Sequence, residues 1–553
     1  MSSRRRSGAE LGRRARTLLA LALDGAAGPV RQATWRLALI ALAVSAAKVG
    51  LFAVAGSAFL AAYGAEGLPW CYLALALLAA STALLLAPRL ERACAVRTLC
   101  GLLLAMALIG SAVCGLLAFD LPGVPALLLV LAHAYNIASE ILLWLLAAAW
   151  LPPPDLRRAQ LWTCLSTALG GFAGGLLAER LVSVSPALAG AAATLMGCLY
   201  GALLLRRSLA LPRAGSAKPL EIEEEATAEP EIGWGELARH PLGPLLAAGS
   251  FMLTLVWGLT EFLSFAVYER FLPQPATLAR FLAALYAVQQ LAEFLCVVLL
   301  TGPVTRRFSP LARSVLFPCG SLLTLVAMGR GFGLGTAALA HTHAEALSNG
   351  LFDPVHAANF AAVPQRLQAR VRAASEGVCY PLSMAAGGLV LLLGPGADNL
   401  EAVLAITIGA ALLFLAVTSF TGLMVTPTLL GELGLTAELG ASPRRAQLRA
   451  AERALAPWVR RTRLRQHLLA VRVAVPGRER LERRVARANR RALAAAFAEA
   501  RRCDPGDLLP RLEVMIDSRR LDRRALVAET VLSLPVRRLF VPILPALRMS
   551  YLG

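Results

Sequence analysis

About twelve apolar segments, each long enough to cross a bilayer, dominate the chain as far as residue 427. They fall near 35–62, 68–87, 98–119, 125–151, 159–181 and 185–205, and again near 242–268, 279–302, 313–329, 332–362, 373–394 and 401–427. Roughly 20 apolar residues in a helix span the hydrocarbon layer, where a backbone must satisfy its own hydrogen bonds. With 57% hydrophobic residues and a mean hydropathy of +0.62, a soluble protein of 553 residues is excluded. The expectation is an all-α membrane protein with twelve transmembrane helices in two six-helix halves.

Charge divides the rest of the chain. Arg89, Arg92 and Arg97 follow the second span, Arg157 and Arg158 the fourth, Arg206, Arg207, Arg213 and Lys218 the sixth. Arg306, Arg307 and Arg313 follow the eighth, and Arg366, Arg370 and Arg372 the tenth, while alternate loops carry Glu66, Asp120, Asp398 and Glu401. The positive-inside rule then puts both termini in the cytoplasm of a multi-pass inner (plasma) membrane protein. Residues 1–34 are basic and read as an interfacial cytoplasmic helix; Asp24 interrupts an apolar run too short for a signal peptide. A first half spans 35–205, an acidic cytoplasmic linker containing EIEEEATAEPE spans 206–240, and a second half spans 241–427. Six spans, a long linker and six more is the layout of the major facilitator class, whose halves contain inverted three-helix repeats.

Residues 428–553 differ. Between 441 and 553 there are 26 arginines against 10 acidic residues, so most of the net charge of +20 belongs to this tail. Amphipathic segments punctuated by Pro457, Pro476, Pro505 and Pro535 predict a basic α-helical domain of stacked, solenoid-like hairpins. Its arginine-rich faces suit anionic lipid or an acidic protein, or are simply solvated. Aromatic interleaving of the kind single-strand binders use is missing, which disfavours nucleic acid. Ten scattered cysteines form no CxxC pair, so neither a disulfide framework nor a metal site is expected.

Polar residues inside the spans carry the functional argument. The segment 341–360 reads HTHAEALSNGLFDPVHAANF, placing His341, Glu345, Asn349, Asp353 and His356 at the 3–4 residue step of one helix face. Pro354 predicts a bend or local unwinding there. Lys48 lies in the middle of the first span; His133, Asn136, Glu140 and Trp144 mark the fourth; Thr254, Trp257, Glu261, Ser264 and Tyr268 mark the seventh. These are the first, fourth, seventh and tenth spans, the first helix of each three-span repeat in the facilitator layout. Such stripes are costly in lipid unless they face protein or a water-filled path. Lys48 either binds an anion or pairs with Glu140 or Glu261 to join the halves. Tyr286, Gln289, Gln290 and Glu293 share a face of the eighth span and suit cavity lining and interhelical bonding equally. His341 and His343 point apart on a helix, so at most His341 and Glu345 could share a metal.

The stretch Phe352-Asp353-Pro354-Val355-His356-Ala357, with Pro364 downstream, resembles the F-D-P-x-K-E motif of the nucleotide transporters of plastids and intracellular bacteria, the ATP/ADP translocase type. Those proteins form a distant branch of the major facilitator superfamily. Lys48 is similar to the lysine of that family's first span, although Val49 stands where the family has an acid. Glu140, ahead of Leu143-Trp144, and Glu261 fall where the family carries functional carboxylates. His356 replaces the family's lysine and Ala357 its acid. The tail looks similar to the repeat-like, HEAT-like domains fused to bacterial relatives.

The residues and the resemblance together imply a secondary active transporter that moves a small anionic solute, a nucleotide in that family, by alternating access. Lys48 would contact the anion, with Asn349 and His356 assisting. Glu140, Glu261 and Asp353 would form exchangeable ion pairs or carry a coupling proton. The alternative is a non-transporting sensor or scaffold whose basic domain binds a partner. No P-loop, nucleophile elbow or metal-ligand cluster suggests an enzyme, and no cofactor is implied.

Overall fold

The computed structural model describes residues 28–90, 95–150, 153–182, 184–208, 234–360, 362–364, 367–368, 371, 373–433, 445–471, 478–504, 508–516, 521–534 and 536–543. Most of the expected interfacial helix and of the acidic linker lies outside these residues. Among the described residues the secondary structure is entirely helical.

The first half comprises α1 (Gly28–Tyr63), α2 (Leu68–Leu90), α3 (Ala95–Leu116), α4 (Val124–Trp150), α5 (Pro153–Val182) and α6 (Pro186–Ser208). The second comprises α7 (Gly243–Phe271), α8 (Pro275–Cys296), α9 (Pro310–Gly329), α10 (Leu334–Thr342), α11 (Tyr380–Leu393) and α12 (Leu400–Glu432). Proline opens α5, α6, α8 and α9, where its missing N–H costs nothing and its fixed φ suits the first turn. Ser309 caps α9 by accepting from Ala312 N at 3.2 Å, and Asn399 caps α12 by accepting from Ala402 N at 3.0 Å. Within α12 the hydroxyls of Thr407, Thr418, Thr421 and Thr428 each donate to the carbonyl four residues earlier. Hydroxyls on an apolar helix are thereby satisfied without water.

Among the described residues seven helices are long and apolar enough to cross a membrane, and Ala65–Ser81, Val124–Glu140 and Gly377–Leu393 are shorter apolar stretches. The polarity of the bundle is reversed from that of a soluble protein. Leu77, Leu108, Leu323 and Leu393 stand 72–85% exposed on the outside. His133, Glu261, Gln289, Glu293 and His341 are buried inside. This is the arrangement lipid demands.

The halves meet along α5 with α8, α2 with α11, and α8 with α1. Two glycine pairs on α5 set its packing on both sides, one pair toward α1 and the other toward α8. Gly170 and Gly174 lie against the backbone of α1, where an added Cβ would come within 2.1 Å of Leu42 O and 2.3 Å of Ala46 O. Gly171 and Gly175 face α8, against Gln290 and the backbone of Ala287. One helix therefore packs closely on both a partner in its own half and one across the interface.

Three helices of the second half carry wide π-helical turns, at Val297–Thr301, His343–Phe352 and Ala373–Cys379. Each stands just before a proline (Pro303, Pro354, Pro381) that cannot donate to the preceding turn. The irregularity expected at Pro354 thus occupies the ten residues before it, while Asp353–Phe360 is regular helix. The Gly350 carbonyl, four residues before Pro354, accepts instead from the Thr301 hydroxyl of the neighbouring wide turn.

Beyond α12, α13 (Arg445–Val471), α14 (Arg478–Cys503), α15 (Leu508–Ile516), α16 (Leu521–Ser533) and α17 (Arg537–Phe540) surround a separate core centred on Phe497, Leu512, Val531 and Phe540. Leu430 and Leu433 of the α12 end extend into this core. Arg537 donates to the Arg307 carbonyl at 3.1 and 3.4 Å, and Leu526 packs on a cluster containing Phe360 and Leu429.

Candidate functional site

Charged and aromatic side chains from both halves converge in the middle of the bundle. Lys48, half-buried on α1, is one of only two lysines among 55 basic residues, the other being Lys218. A chain that otherwise uses arginine has placed a compact ammonium here. Lys48 lies within electrostatic reach of Glu293 on α8 and of Glu345 in the wide turns after α10. Among the described residues no ion pair within 4 Å involves Lys48. Its expected partners are otherwise disposed: Glu140 is exposed, and Glu261 accepts a 2.7 Å hydrogen bond from Tyr72 Oη of α2.

Each carboxylate has its own setting. Tyr72 ties Glu261 across the α2–α7 contact, its hydroxyl also lying 3.1 Å from Gly258 O. Trp257 Nε1 donates to Glu345 Oε1 at 2.6 Å, linking α7 to the wide turns. Glu293 Oε2 accepts from Gln290 Nε2 at 3.4 Å and from Asn349 Nδ2 at 3.3 Å. Glu140 lies within electrostatic reach of Glu293, and Cys164 on α5 within reach of Glu293, Asp353 and Glu140. Two of these glutamates, Glu293 and Glu345, thus lie within electrostatic reach of the one lysine.

The 341–360 segment distributes its polar groups as follows. His341 is fully buried, its Nδ1 3.3 Å from Tyr268 Oη and its ring edge-on to Phe265 and Tyr286. Glu345 meets α7 and Asn349 meets α8, as above. His356 Nε2 lies 3.2 Å from Ser250 Oγ of α7, with its ring between Phe352 and Phe360. These four therefore face α7 and α8. His343 turns the other way and stacks on Phe317 of α9 at 4.9 Å, so the two histidines do diverge. Asp353 is exposed. Among the described residues no group of three His, Cys, Asp or Glu is placed to hold a metal ion.

Aromatic rings join the helices that begin each repeat. His133 of α4 is edge-on to Phe52 of α1 at 4.8 Å and to Trp257 of α7 at 6.1 Å, and Trp257 holds Glu345. Of the residues singled out from sequence, Lys48, Glu261, Asn349 and His356 line or adjoin this interior, whereas Glu140 and Asp353 are exposed at its margin. Sequence reasoning gave too little weight to Glu293 and Glu345. The available signal was an apolar window containing a glutamate three residues after two glutamines.

The chain matches no protein-family model and no curated protein. Its fold matches solved transporters. The nucleoside transporter NupG aligns with 14% identity and a TM-score of 0.50, covering 71% of this chain and 99% of that one. A bacterial homologue of the human lysosomal transporter Spinster (inward-facing) aligns with 16% identity and a TM-score of 0.48, covering 74% and 99%. A bacterial homologue of the iron transporter ferroportin (inward-facing) gives 16% and 0.48, covering 71% and 98%. The body shares the fold of NupG.

Proposed function

We propose that the chain is a secondary transporter that moves a small anionic solute across the inner membrane by alternating access between its halves. The twelve helices α1–α12 are its spans, and the tail and both termini lie on the cytoplasmic side. The observation that carries this reading is Lys48, a mid-bundle ammonium facing acidic groups from α8 and from the wide turns after α10 without a contact ion pair among the described residues. A cation so placed in low dielectric is costly unless a counter-charge reaches it, and a transported anion is such a counter-charge. Asn349 and His356 supply neutral donors from the neighbouring turns. Nucleotides are the first anions to test, on the strength of the motif around Phe352–Ala357. The resemblance of the fold to transporters favours transport over catalysis.

The test is counterflow of labelled ATP and of labelled inorganic phosphate into proteoliposomes at pH 6 and pH 8, with Lys48→Ala alongside. Saturable uptake that disappears in Lys48→Ala supports the assignment. Uptake indifferent to Lys48 removes it. A second reading, a sensor or scaffold, draws support from the tail's packing on the end of α12. Deleting 441–553 separates the two, since a transporter keeps its flux.

A further inference from the structure

Of the four glutamates on the helices around the interior, three already have assigned places: Glu261 accepts from Tyr72, Glu345 accepts from Trp257, and Glu140 is exposed. Glu293 differs from all of them. It is 4% exposed, and its only hydrogen-bond partners among the described residues are two amide side chains, Gln290 and Asn349, both meeting Oε2. An amide can serve either form of a carboxyl group, donating through its nitrogen to a carboxylate or accepting through its oxygen from a carboxylic acid. The spare acceptor is present. Gln290 is 7% exposed and its Oε1 is buried with no partner, beside Gly171, which leaves the amide room that a Cβ would close. Turning the Gln290 amide over brings that oxygen to Glu293. A tyrosine or an indole, as at Glu261 and Glu345, is chiefly a donor and favours one form.

We propose that Glu293 is the proton-carrying counter-charge of Lys48. With no solute bound, ionised Glu293 balances the ammonium across the α1–α8 contact. When an anion binds Lys48, the Glu293 carboxylate takes one proton from the side to which the site is open, and the acid donates to Gln290 Oε1. After the halves rock, the anion leaves, the proton is released on the same side, and Glu293 faces Lys48 again. One proton accompanies each solute molecule, so a monovalent anion moves without net charge. The groups facing Glu293 are Lys48 from α1, Glu140 from α4, Cys164 from α5, Glu345 from the turns after α10 and Cys296 on its own helix. Of these, Lys48 alone is cationic. This inference rests on the anion-transport reading and adds the coupling ion.

Two measurements on full-length protein in liposomes test it. Infrared difference spectra between pH 5 and pH 9 need no solute. They should show a carboxylic-acid carbonyl band that titrates in wild type, is absent in Glu293→Gln, and changes frequency in Gln290→Leu, which keeps Glu293 and removes its amide. In counterflow of labelled ATP, the ratio of rates at pH 6 and pH 8 should be about fivefold or more in wild type and close to one in Glu293→Gln, since each pH unit changes proton occupancy up to about tenfold. A band that persists in Glu293→Gln, or no titrating band, overturns the proposal. A band unaltered in Gln290→Leu does the same even if Glu293→Gln does not fold. Absence of ATP and phosphate transport in wild type, with the band present and Glu293-dependent, would instead count against the solute assignment.

Discussion

Replacing Gly174 of α5 with alanine separates packing from site chemistry. Its Cβ would stand 2.3 Å from Ala46 O and 2.8 Å from Ala46 Cα, backbone atoms within α1 that have no rotamer with which to retreat. Ordinary contact begins near 3.4 Å. Relief therefore requires α1 and α5 to part by about 1 Å along a contact packed at interior density. Overpacking a tight core costs about 1–3 kcal/mol, and a rigid neighbour places Gly174→Ala at the upper end, near 3 kcal/mol. Gly171→Ala provides the contrast. Its Cβ meets the Gln290 side chain, 2.2 Å from Oε1, and a side chain can swing aside. Gly171→Ala should lose roughly 1 kcal/mol or less of stability while displacing the amide that holds Glu293. Gly409→Ala on α12, with nothing within 4 Å of the added methyl, is the control; helix propensity predicts a gain of up to about 1 kcal/mol. Unfolding in mixed micelles of increasing denaturing detergent ranks the three. The expected order of stability is Gly409→Ala, then Gly171→Ala, then Gly174→Ala. If Gly174→Ala equals wild type, or if Gly171→Ala is the weaker of the two, the close α1–α5 packing described above is wrong.

Other expectations follow from single contacts. Lys48→Arg should transport poorly despite keeping its charge, because a planar guanidinium does not replace a compact ammonium; uptake assays at matched expression would detect it. Trp257→Phe removes the donor to Glu345 and should cost about 1.5–3 kcal/mol, the usual worth of a hydrogen bond to a charged group, visible in the same unfolding series. His356→Lys restores the lysine of the nucleotide-transporter motif that Phe352–Ala357 resembles and should increase ATP counterflow, measured in the same uptake assay. Arg537→Ala frees the tail from the Arg307 carbonyl without entering the site. Leu526 reports that release, since it packs on the body cluster around Phe360 and Leu429. Faster backbone hydrogen exchange around Leu526 in Arg537→Ala, with flux unchanged, is the expected result.

The all-helical body was legible because lipid imposes a simple rule: long apolar runs must become helices. The interior was legible in part, through polar residues too costly to leave in hydrocarbon, such as Lys48 and Glu261. What sequence reasoning could not supply was direction. Nothing local says that Glu261 turns to Tyr72, 189 residues away, or that Asn349 reaches Glu293. The wide turns were equally hidden. Pro354 marks where a hydrogen bond is lost, but the turns that absorb the loss precede it, and the Thr301 hydroxyl of another helix donates to the Gly350 carbonyl there. The paired glycines of α5 were visible as letters, yet their meaning depends on two backbones that only the folded chain brings to them.

Among the described residues the tail's substantial contacts with the body, through Leu430, Leu433, Arg307 and Leu526, belong to the second half. If the halves rock as proposed, a domain fastened to one of them behaves as a pointer: small rotations between the halves become larger displacements at its far end. A fluorophore on α14 paired with one on the first half would then read the proposed cycle with built-in gain. Any molecule that holds the pointer still would brake that motion without coming near Lys48.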